Sequence, residues 1–365
     1  MTEEPKTMRA VLLTGHGDLD KLEYREDWPR PEPGPGEVLV QVLACGLNNT
    51  DVNTRTAWYS KGVTEGTTGG ALADAGDDGG WGGSQIRFPR IQGADACGRV
   101  VAAADAAGSD LIGRRVLIDV WLRDWDDPLN LDKCRYFGSE SDGGFADYCV
   151  VDARNVHPIE SDLSDAELAT FATSYVTAEN MLNRASVSDG DVVLIPGASG
   201  GVGSALIQLS RRRGARTVAL CGADKAEAVA ALGTDAVLPR APEDLKAALQ
   251  EAIGRDSVTV VADVVGGVLW PQLIEALARG GRYTCAGAIA GPMVELDLRT
   301  FYLNDLTFTG ATIVPPGVFA DLVGYIARGE IRPLLAETYP LAQLARAQEA
   351  FIAKRHVGNI AVTMD

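Results

Sequence analysis

The stretch CGLNNTDVN, from Cys45 to Asn53, brings a thiol, three amides, a hydroxyl and a carboxyl into one short segment. It follows the apolar run GEVLVQVLA, which predicts a strand that ends at a turn. Three interpretations are open. Thiolate and carboxylate groups bind zinc, amide and hydroxyl groups can form the floor of a pocket, and Asn and Asp also favour plain turns. The choice between them decides which chemistry the chain can perform.

A second stretch, IPGASGGVGSALIQL, places glycines where a predicted strand ends and a helix begins. A tight turn needs residues without Cβ, and the helix N-terminus offers free N–H groups and a positive dipole end to phosphates. Inside a run of alternating strands and helices, this pattern predicts a dinucleotide-binding turn. The residues assigned to it are Gly197, Ser199, Gly200, Gly201, Val202 and Gly203.

The end of the next strand, RTVAL, bears on which nicotinamide cofactor binds. A site for NADH places an acid there to bind the ribose 2′-hydroxyl, but the strand ends at Cys221 and Gly222. Lys225 follows and could meet a 2′-phosphate. Asp224 could instead reach the ribose, although a role as N-cap of the helix KAEAVAAL is favoured. We therefore expect NADPH in preference to NADH, bound near Gly222 and Lys225.

Two kinds of element must position these residues. After Ser161, apolar strands alternate with helices, which predicts a doubly wound parallel sheet. The first third instead shows short β-rich runs broken by Gly, Pro and Asp. Residues 60–90 and 121–142 interrupt this rhythm. Surface insertions are the favoured interpretation of both, and a lid near a pocket is the alternative.

Bulk composition excludes several classes of function. The 365 residues suffice for two domains. The net charge of -17 disfavours nucleic acid and anionic membranes as partners. Apolar runs are too short to span a bilayer, no secretory signal is visible, and the six Cys have no paired spacing. We expect a cytoplasmic protein with reduced thiols that acts on a small-molecule substrate.

Six motifs, in this order and spacing, resemble the medium-chain dehydrogenase/reductase superfamily, and most of all its zinc-free quinone oxidoreductase branch: CGLNNTD, GADACGRVV, GGFADYCVV, GASGGVG, VADVVGG and GRYTCAGA. The match runs from Met8 to Met364 apart from the two insertions. It implies an α/β fold with a GroES-like β-barrel catalytic domain (1–160 and 313–365) and a Rossmann NAD(P)-binding domain (161–312). It also implies a homodimer or homotetramer, often formed through the last strands of the Rossmann sheet.

The resemblance also bears on the metal. The superfamily's alcohol dehydrogenases hold zinc through a Cys, a GHE motif and a later Cys or Asp. Here Asn48 stands at the first position, Gly93-Ala94-Asp95 replaces GHE, and ATFATSYVTAEN offers no Cys. Only Asp95 remains eligible, and one carboxylate does not hold zinc. The four-Cys run of the structural zinc has no counterpart either. We expect no metal, with Cys45 a small buried apolar residue.

Without a Lewis acid, reduction of a quinone or a conjugated C=C needs a positioned hydride and a donor to the developing oxyanion. Asn48 and Thr50 can supply such donors, and the resemblance places Asn48 at the pocket. Asp51 matches the branch's acidic position, with capping of the turn as its alternative role. Tyr59 corresponds to a Tyr that often lines the pocket. Asn53 replaces a second Tyr of the branch, which weakens any mechanism that needs that phenol.

The resemblance assigns three further cofactor contacts. Thr177 would lie near the nicotinamide and Gly287 beside its ribose, while Gly358-Asn359 replaces a Gly-Lys contact and leaves Asn359 as a hydrogen-bonding group. The leading hypothesis is an NADPH-dependent, zinc-independent reductase of quinones or α,β-unsaturated carbonyls. A zinc-free alcohol or carbonyl dehydrogenase and a catalytically silent cofactor-binding protein remain as alternatives.

Overall fold

The computed structural model describes residues 5–67, 70, 78–81 and 84–364. Part of the segment 60–90, predicted as an insertion, therefore lies outside the described residues. Antiparallel pairing dominates the first part of the chain, and the last two strands return to it. The strands of this part are β1 (Thr7–Leu13), β2 (Leu22–Pro29), β3 (Glu37–Gly46), β4 (Arg90–Ile91), β5 (Asp95–Ala103), β6 (Arg115–Ile118), β7 (Trp121–Leu122), β8 (Arg135–Tyr136), β9 (Tyr148–Asp152), β10 (Val156–Pro158), β17 (Leu335–Pro340) and β18 (Asn359–Thr363).

The largest antiparallel arrangement is built around β3. Its order is β10-β6-β5-β3-β18-β17, and β9 also pairs with β3. A smaller sheet has the order β2-β1-β4. The C-terminal strand β18 lies antiparallel to β3, with Val362 opposite Cys45. Cys45 is fully buried in the core of this part, as expected. The end of β3 is therefore held on both sides, by β5 and by β18.

A parallel sheet forms the second part. Its strands are β11 (Val192–Pro196), β12 (Arg216–Cys221), β13 (Ala236–Pro239), β14 (Val258–Asp263), β15 (Leu277–Cys285) and β16 (Thr307–Gly310). The order is β13-β12-β11-β14-β15-β16 and every neighbouring pair is parallel. Val193 and Ile195 of β11 enter one apolar core, and Val192 and Leu194 enter another on the opposite face. Burial of both faces confirms the predicted doubly wound sheet.

Helices connect the strands of both parts. They are α1 (Asn49–Arg55), α2 (Asp165–Leu168), α3 (Ala172–Arg184), α4 (Gly201–Arg212), α5 (Ala226–Ala230), α6 (Leu245–Ile253), α7 (Trp270–Glu275), α8 (Leu298–Leu303), α9 (Val318–Ala327) and α10 (Leu344–Ala353). Helix α3 packs against α4. Its apolar residues share one core with residues of the antiparallel part and of the parallel sheet. In the part of the chain that the structure describes, no helix is long and apolar enough to cross a membrane.

The segment 121–142 is only in part the surface insertion that its sequence suggested, since Leu129 and Leu131 in its middle are exposed. Trp121 and Tyr136 are 4% exposed and belong to the same apolar core as α3. They pair across the short β7–β8 ribbon. The preference for a surface insertion is therefore wrong at both of these strands, because their aromatic side chains supply core contacts that residue-level composition did not indicate.

Candidate active site

Helix α1 begins directly after β3, so a strand end and a helix cap together hold the residues of CGLNNTDVN. Asn48 is the N-cap, with an extended backbone. Its N–H donates to Asp51 Oδ2 at 2.8 Å, and Gly93 N donates to Asp51 Oδ1 at 3.2 Å. Asn48 and Asp51 are both buried. Asp51 therefore caps the turn, which was the alternative to its proposed catalytic role, and it also fixes the segment before β5.

Two residues of α3 meet this turn, and sequence reasoning missed both. Asp95, the first residue of β5, accepts a hydrogen bond from Thr173 N at 2.7 Å. The hydroxyl of Ser174 lies 3.4 Å from Asn48 Oδ1 and 3.4 Å from Asn359 Oδ1. A signal for Thr173 was present, since it precedes Thr177 by one helical turn and so shares a helix face with it.

The side chain of Tyr136, from the β7–β8 ribbon, also lies beside Thr173. Its hydroxyl lies 2.7 Å from Thr173 Oγ1. Its ring stacks on Trp81 with the ring centroids 6.1 Å apart and meets Trp121 edge-on at 5.1 Å. The aromatic content of the segment 121–142 was the one sequence signal for this tyrosine, because it lies outside every motif and reaches the site only through long-range packing.

Burial sets the protonation of the acids at this site. Desolvation raises the pKa of Asp51 to about 7, although the N–H groups of Asn48 and Gly93 oppose the rise. Desolvation likewise raises the pKa of Asp95 to about 6, opposed by Thr173 and by the Asn48 amide. The pKa of the Tyr136 phenol is raised by burial and by the charge of Asp95. Tyr136 is therefore a neutral hydroxyl that can donate a hydrogen bond.

Two of the predicted catalytic residues have side-chain donors that a ligand could use. Among the described residues, Asn48 Nδ2 and Thr50 Oγ1 are buried without a well-formed hydrogen bond. The first approaches Asp95 and the second approaches Tyr136 closely enough to lower the pKa of each neighbour. An unmade hydrogen bond at a buried polar group costs about 1–3 kcal/mol. A ligand oxygen that accepted from either group would remove that cost.

Tyr59 is half-buried and is not the exposed loop aromatic that its sequence context allowed. Its ring meets Trp58 edge-on at 5.7 Å. Burial raises the pKa of its phenol, and a hydrogen bond with the Asn53 side chain opposes that rise. Tyr59 is therefore placed beside the residue that replaces the branch's second Tyr, and its substrate contact stays a prediction.

The glycine turn has the geometry that a phosphate needs. Gly197 has φ +66°, and a Cβ on Gly203 would collide with the Gly197 carbonyl. Helix α4 begins at Gly201 after the N-cap Gly200. In the described part of the chain, the N–H groups of Val202 and Gly203 make no hydrogen bond. Free N–H groups at the N-terminus of a long helix fit a pyrophosphate.

Ser174 connects the glycine turn to the donor groups around Asn48. A Cβ on Gly201 would collide with Ser174 Oγ and with Asn359 Oδ1. Gly358 N donates to the carbonyl of Ser199 at 2.8 Å. Ser174 therefore contacts both the start of α4 and Asn48, so that the predicted cofactor turn and the predicted pocket floor are neighbours.

The other assigned cofactor residues lie around this junction. Thr177 is half-buried on α3. Gly287 follows β15, and a Cβ there would lie 3.1 Å from the carbonyl of Val264. Asn359 is buried, and its Nδ2 donates to the carbonyl of Thr170 at 3.3 Å. Its side chain is thus held inside the protein, and its cofactor contact stays a prediction.

The end of β12 differs from the expectation in two respects. Lys225 is buried, and its Nζ donates to the carbonyls of Lys354 and His356. Lys225 also occupies the N-cap of α5, so the preferred role of Asp224 as that N-cap is wrong. The reason is a short 3₁₀ turn that precedes the helix. The contact of Lys225 with a 2′-phosphate stays a prediction.

Sequence reasoning missed Arg240, whose guanidinium lies beside Gly222. A Cβ on Gly222 would lie 2.6 Å from Asp224 Oδ1 and 3.2 Å from Arg240 Nη2. Arg240 follows β13, the neighbour of β12, and is exposed. Strand adjacency in a doubly wound sheet was the available signal for it. The end of β12 therefore presents one acid and one guanidinium.

Within residues 5–67, 70, 78–81 and 84–364, no three His, Cys, Asp or Glu side chains come together as a metal-binding group. The side chains around Asn48 include the Asp51 and Asp95 carboxyls and the hydroxyls of Thr173 and Tyr136. Two carboxyls and two neutral hydroxyls do not make up the three thiolate, imidazole or carboxylate ligands that a protein zinc site needs.

Comparison with known proteins gives the family. Residues 34–161 match the alcohol dehydrogenase GroES-like domain, and residues 201–328 match the zinc-binding dehydrogenase family. The solved structure of a putative alcohol dehydrogenase from Sinorhizobium meliloti 1021 is 45% identical, covers 100% of this chain and 99% of that one, and superimposes with a TM-score of 0.90. The chain belongs to the medium-chain dehydrogenase/reductase superfamily.

Two further relatives indicate the kind of enzyme. The quinone oxidoreductase of Lama guanicoe is 24% identical over 96% of this chain and 95% of its own length. The structure of the 2-octenoyl-CoA carboxylase reductase CinF in complex with NADP and 2-octenoyl-CoA is 27% identical, with a TM-score of 0.83, and covers 99% of this chain and 88% of that one. The protein is an oxidoreductase of this superfamily, related to quinone oxidoreductases and enoyl-CoA reductases.

Proposed function

We propose that the protein transfers hydride from NADPH to a quinone or an α,β-unsaturated carbonyl without zinc. One observation carries the proposal. Ser174 lies 3.4 Å from Asn48 Oδ1 and against Gly201, the first residue of α4. Asn48 therefore stands next to the helix N-terminus that fits the cofactor's phosphates, and among the described residues Asn48 Nδ2 and Thr50 Oγ1 are buried without a well-formed hydrogen bond.

The donor set supports a mechanism in which hydrogen bonds replace a Lewis acid. When bound, NADPH supplies the hydride. As the hydride arrives, negative charge develops on the substrate's carbonyl oxygen, and Asn48 Nδ2 and Thr50 Oγ1 can donate to it. Buried, preorganised donors stabilise such charge strongly, because they need no reorganisation. Asp51 holds Asn48 in place through the cap at 2.8 Å, which makes it a positioning residue.

The metal-free part of the proposal rests on the residues around Asn48. The family to which residues 201–328 match is described as zinc-binding. In this chain, Asp95 is the one candidate at the positions that resemblance assigns to zinc ligands, and its carboxyl accepts from Thr173 N at 2.7 Å. Thr173 and Tyr136 offer neutral hydroxyls, which zinc does not take in place of thiolate or imidazole.

Charge at the end of β12 supports NADPH over NADH. The Arg240 guanidinium lies beside Gly222. Arginine suits the planar, bidentate recognition of a phosphate. Asp224 faces the same space and would suit a ribose hydroxyl, which keeps NADH as the weaker alternative. The CinF complex with NADP is consistent with this preference.

A substrate panel tests the proposed function. NADPH oxidation is followed with a quinone, an enone, an enoyl thioester and a simple ketone. We expect turnover of the first three and little with the ketone. Turnover of the ketone alone would favour the carbonyl dehydrogenase. Tight NADPH binding with no turnover of any acceptor would favour the catalytically silent protein.

A further inference from the structure

The Tyr136 hydroxyl lies at the centre of the polar residues of the site. It is 2.7 Å from Thr173 Oγ1 and close enough to Thr50 and Asp95 for each to affect its pKa. Its neighbours Thr50 and Thr173 are half-buried and so lie at the edge of the protein core. Neither the proposed function nor the family motifs use this residue.

The structure holds this phenol firmly. Tyr136 N donates to Glu140 Oε2 at 2.8 Å. The ring packs against Trp81 and Trp121. A side chain fixed by packing and by backbone pairing keeps its hydroxyl in one place, and a preorganised donor requires this.

We propose that Tyr136 is a further catalytic residue, whose hydroxyl donates a hydrogen bond to the oxygen of an α,β-unsaturated carbonyl as hydride reaches its β-carbon. The proposal rests on the proposed function and deepens it. The specific claim is that the segment 121–142 supplies the third donor of the site, beside Asn48 and Thr50.

The step balances without another reagent. Hydride transfer forms a C–H bond at the β-carbon, and the electron pair of the C=C bond moves towards the carbonyl oxygen. NADPH is oxidised and the substrate is reduced by two electrons. Tyr136 keeps its proton and donates a hydrogen bond only, and water supplies the proton that completes the saturated product.

The variant Tyr136→Phe tests this claim, because it removes the hydroxyl and keeps the ring against Trp81 and Trp121. Tyr175→Phe is the matched control: Tyr175 lies on α3, is fully buried, and donates from its hydroxyl to the carbonyl of Arg332 at 2.8 Å. Removal of one oxyanion donor lowers kcat by about 10²-fold or more. We expect that loss for the enone in Tyr136→Phe, with an unchanged dissociation constant for NADPH.

Loss of a hydrogen-bond donor should lower kcat by different amounts for different substrates, whereas loss of a purely structural residue should lower kcat equally for all of them. An enone builds a more basic oxyanion than an electron-poor quinone, so the loss in kcat should be larger for the enone. A second readout needs neither cofactor nor turnover. Binding of 4-nitrophenolate to the cofactor-free protein, followed by its visible absorption, should weaken roughly tenfold in Tyr136→Phe and stay unchanged in Tyr175→Phe, because a hydrogen bond to a charged group is lost.

Each outcome has one meaning. An active wild type with equal losses for enone and quinone, or with unaltered nitrophenolate binding in Tyr136→Phe, overturns the role of Tyr136 and leaves the proposed function standing. A wild type that reduces neither enone nor quinone overturns both. Selective loss with the enone together with weaker nitrophenolate binding supports the donor.

Discussion

The side chain of Asn48 joins parts of the site that are distant in sequence. Its Oδ1 lies 3.4 Å from Ser174 Oγ on α3, and its Nδ2, which approaches Asp95, makes no well-formed hydrogen bond among the described residues. Its backbone N–H is fixed by Asp51. A buried amide held so firmly, whose donor has no well-formed hydrogen bond, is suited to stabilise negative charge on a ligand.

Replacement of this amide should therefore act on turnover. We expect Asn48→Ala to lower kcat about 10²-fold, since one oxyanion donor is removed, and to leave the dissociation constant for NADPH nearly unchanged. Steady-state kinetics and a cofactor titration measure the two effects. Asn183→Ala, at an exposed position of α3, is the control and should behave as wild type. Loss of NADPH binding in Asn48→Ala would show that Asn48 is misplaced in this account.

Asp51 gives the stability of the protein a defined pH dependence. Its folded pKa is about 7, against roughly 4 in an unfolded chain. Because the folded state holds the proton more tightly, the contribution of Asp51 to stability is complete below about pH 4 and is lost as the pH rises towards 7. The free energy of unfolding of the wild type should fall over that range relative to Asp51→Asn, as measured by urea denaturation.

Asp105→Asn is the control for this titration. The N–H groups of Ala107 and Gly36 hold the pKa of Asp105 below its ordinary value, so its contribution is present above the unfolded pKa and is lost as the pH falls. Its difference from wild type should appear below about pH 4 and have the opposite sign. Parallel stability curves for wild type and Asp51→Asn across the whole range would contradict the account.

The residues of one local turn could be predicted, and those brought in by packing could not. Asn48 and Asp51 follow a strand and precede a helix, so their place depends on a few neighbouring residues. Tyr136 and Thr173 are 37 residues apart, and their meeting depends on how the β7–β8 ribbon packs on α3. Sequence periodicity carries no information on such a contact.

At the scale of elements, the strands of the parallel sheet were predictable, because burial on both faces makes them apolar throughout. The ends of the helices were harder. Ser164 and Glu167 have the S-x-x-E spacing of a capping box, and the structure contains it. Near Gly222, a 3₁₀ turn shifted the N-cap of α5 to Lys225. The Lys225 amine is held by carbonyls of the C-terminal segment, a long-range contact that local pattern could not show.

The end of β12 yields a prediction about cofactor choice. We expect Arg240→Ala to raise the dissociation constant for NADPH roughly tenfold, because an arginine–phosphate pair is lost, and to leave that for NADH nearly unchanged. Fluorescence titration of both cofactors measures this. Arg255→Ala, an exposed arginine elsewhere in the same part, is the control. Equal weakening of both cofactors in Arg240→Ala would contradict 2′-phosphate recognition.

At the scale of the whole molecule, described residues of the segment 60–90 connect the two parts. Thr67 Oγ1 donates to Asn53 Oδ1 at 3.1 Å, and Thr67 N donates to the carbonyl of Ile289 at 2.9 Å. Asn53 belongs to α1, and Ile289 follows the strand that leads to Gly287. This segment thus lies beside the predicted nicotinamide position, which favours the lid interpretation for these residues over a plain surface insertion.

Quaternary structure is the second question at this scale. Strand β16 is the last of the parallel sheet, and α8 before it exposes Leu298, Tyr302 and Leu303 at 64%, 60% and 55%. An exposed apolar patch beside a sheet edge suits a second copy of the chain. We expect a homodimer by light scattering, converted to monomer by Leu298→Glu. Leu129→Glu, 74% exposed elsewhere, should stay dimeric, and a monomeric wild type would contradict this prediction.

The central claim is hydride transfer at a site without metal, and one measurement tests it most directly. Zinc content and NADPH-dependent reduction of an enone are determined on the same preparation, before and after dialysis against a chelator. We predict far less than one zinc per chain and the same kcat in both samples, because Asn48, Thr50 and Tyr136 donate where a Lewis acid would otherwise act. Stoichiometric zinc, with activity lost on its removal and restored on its return, would contradict the account.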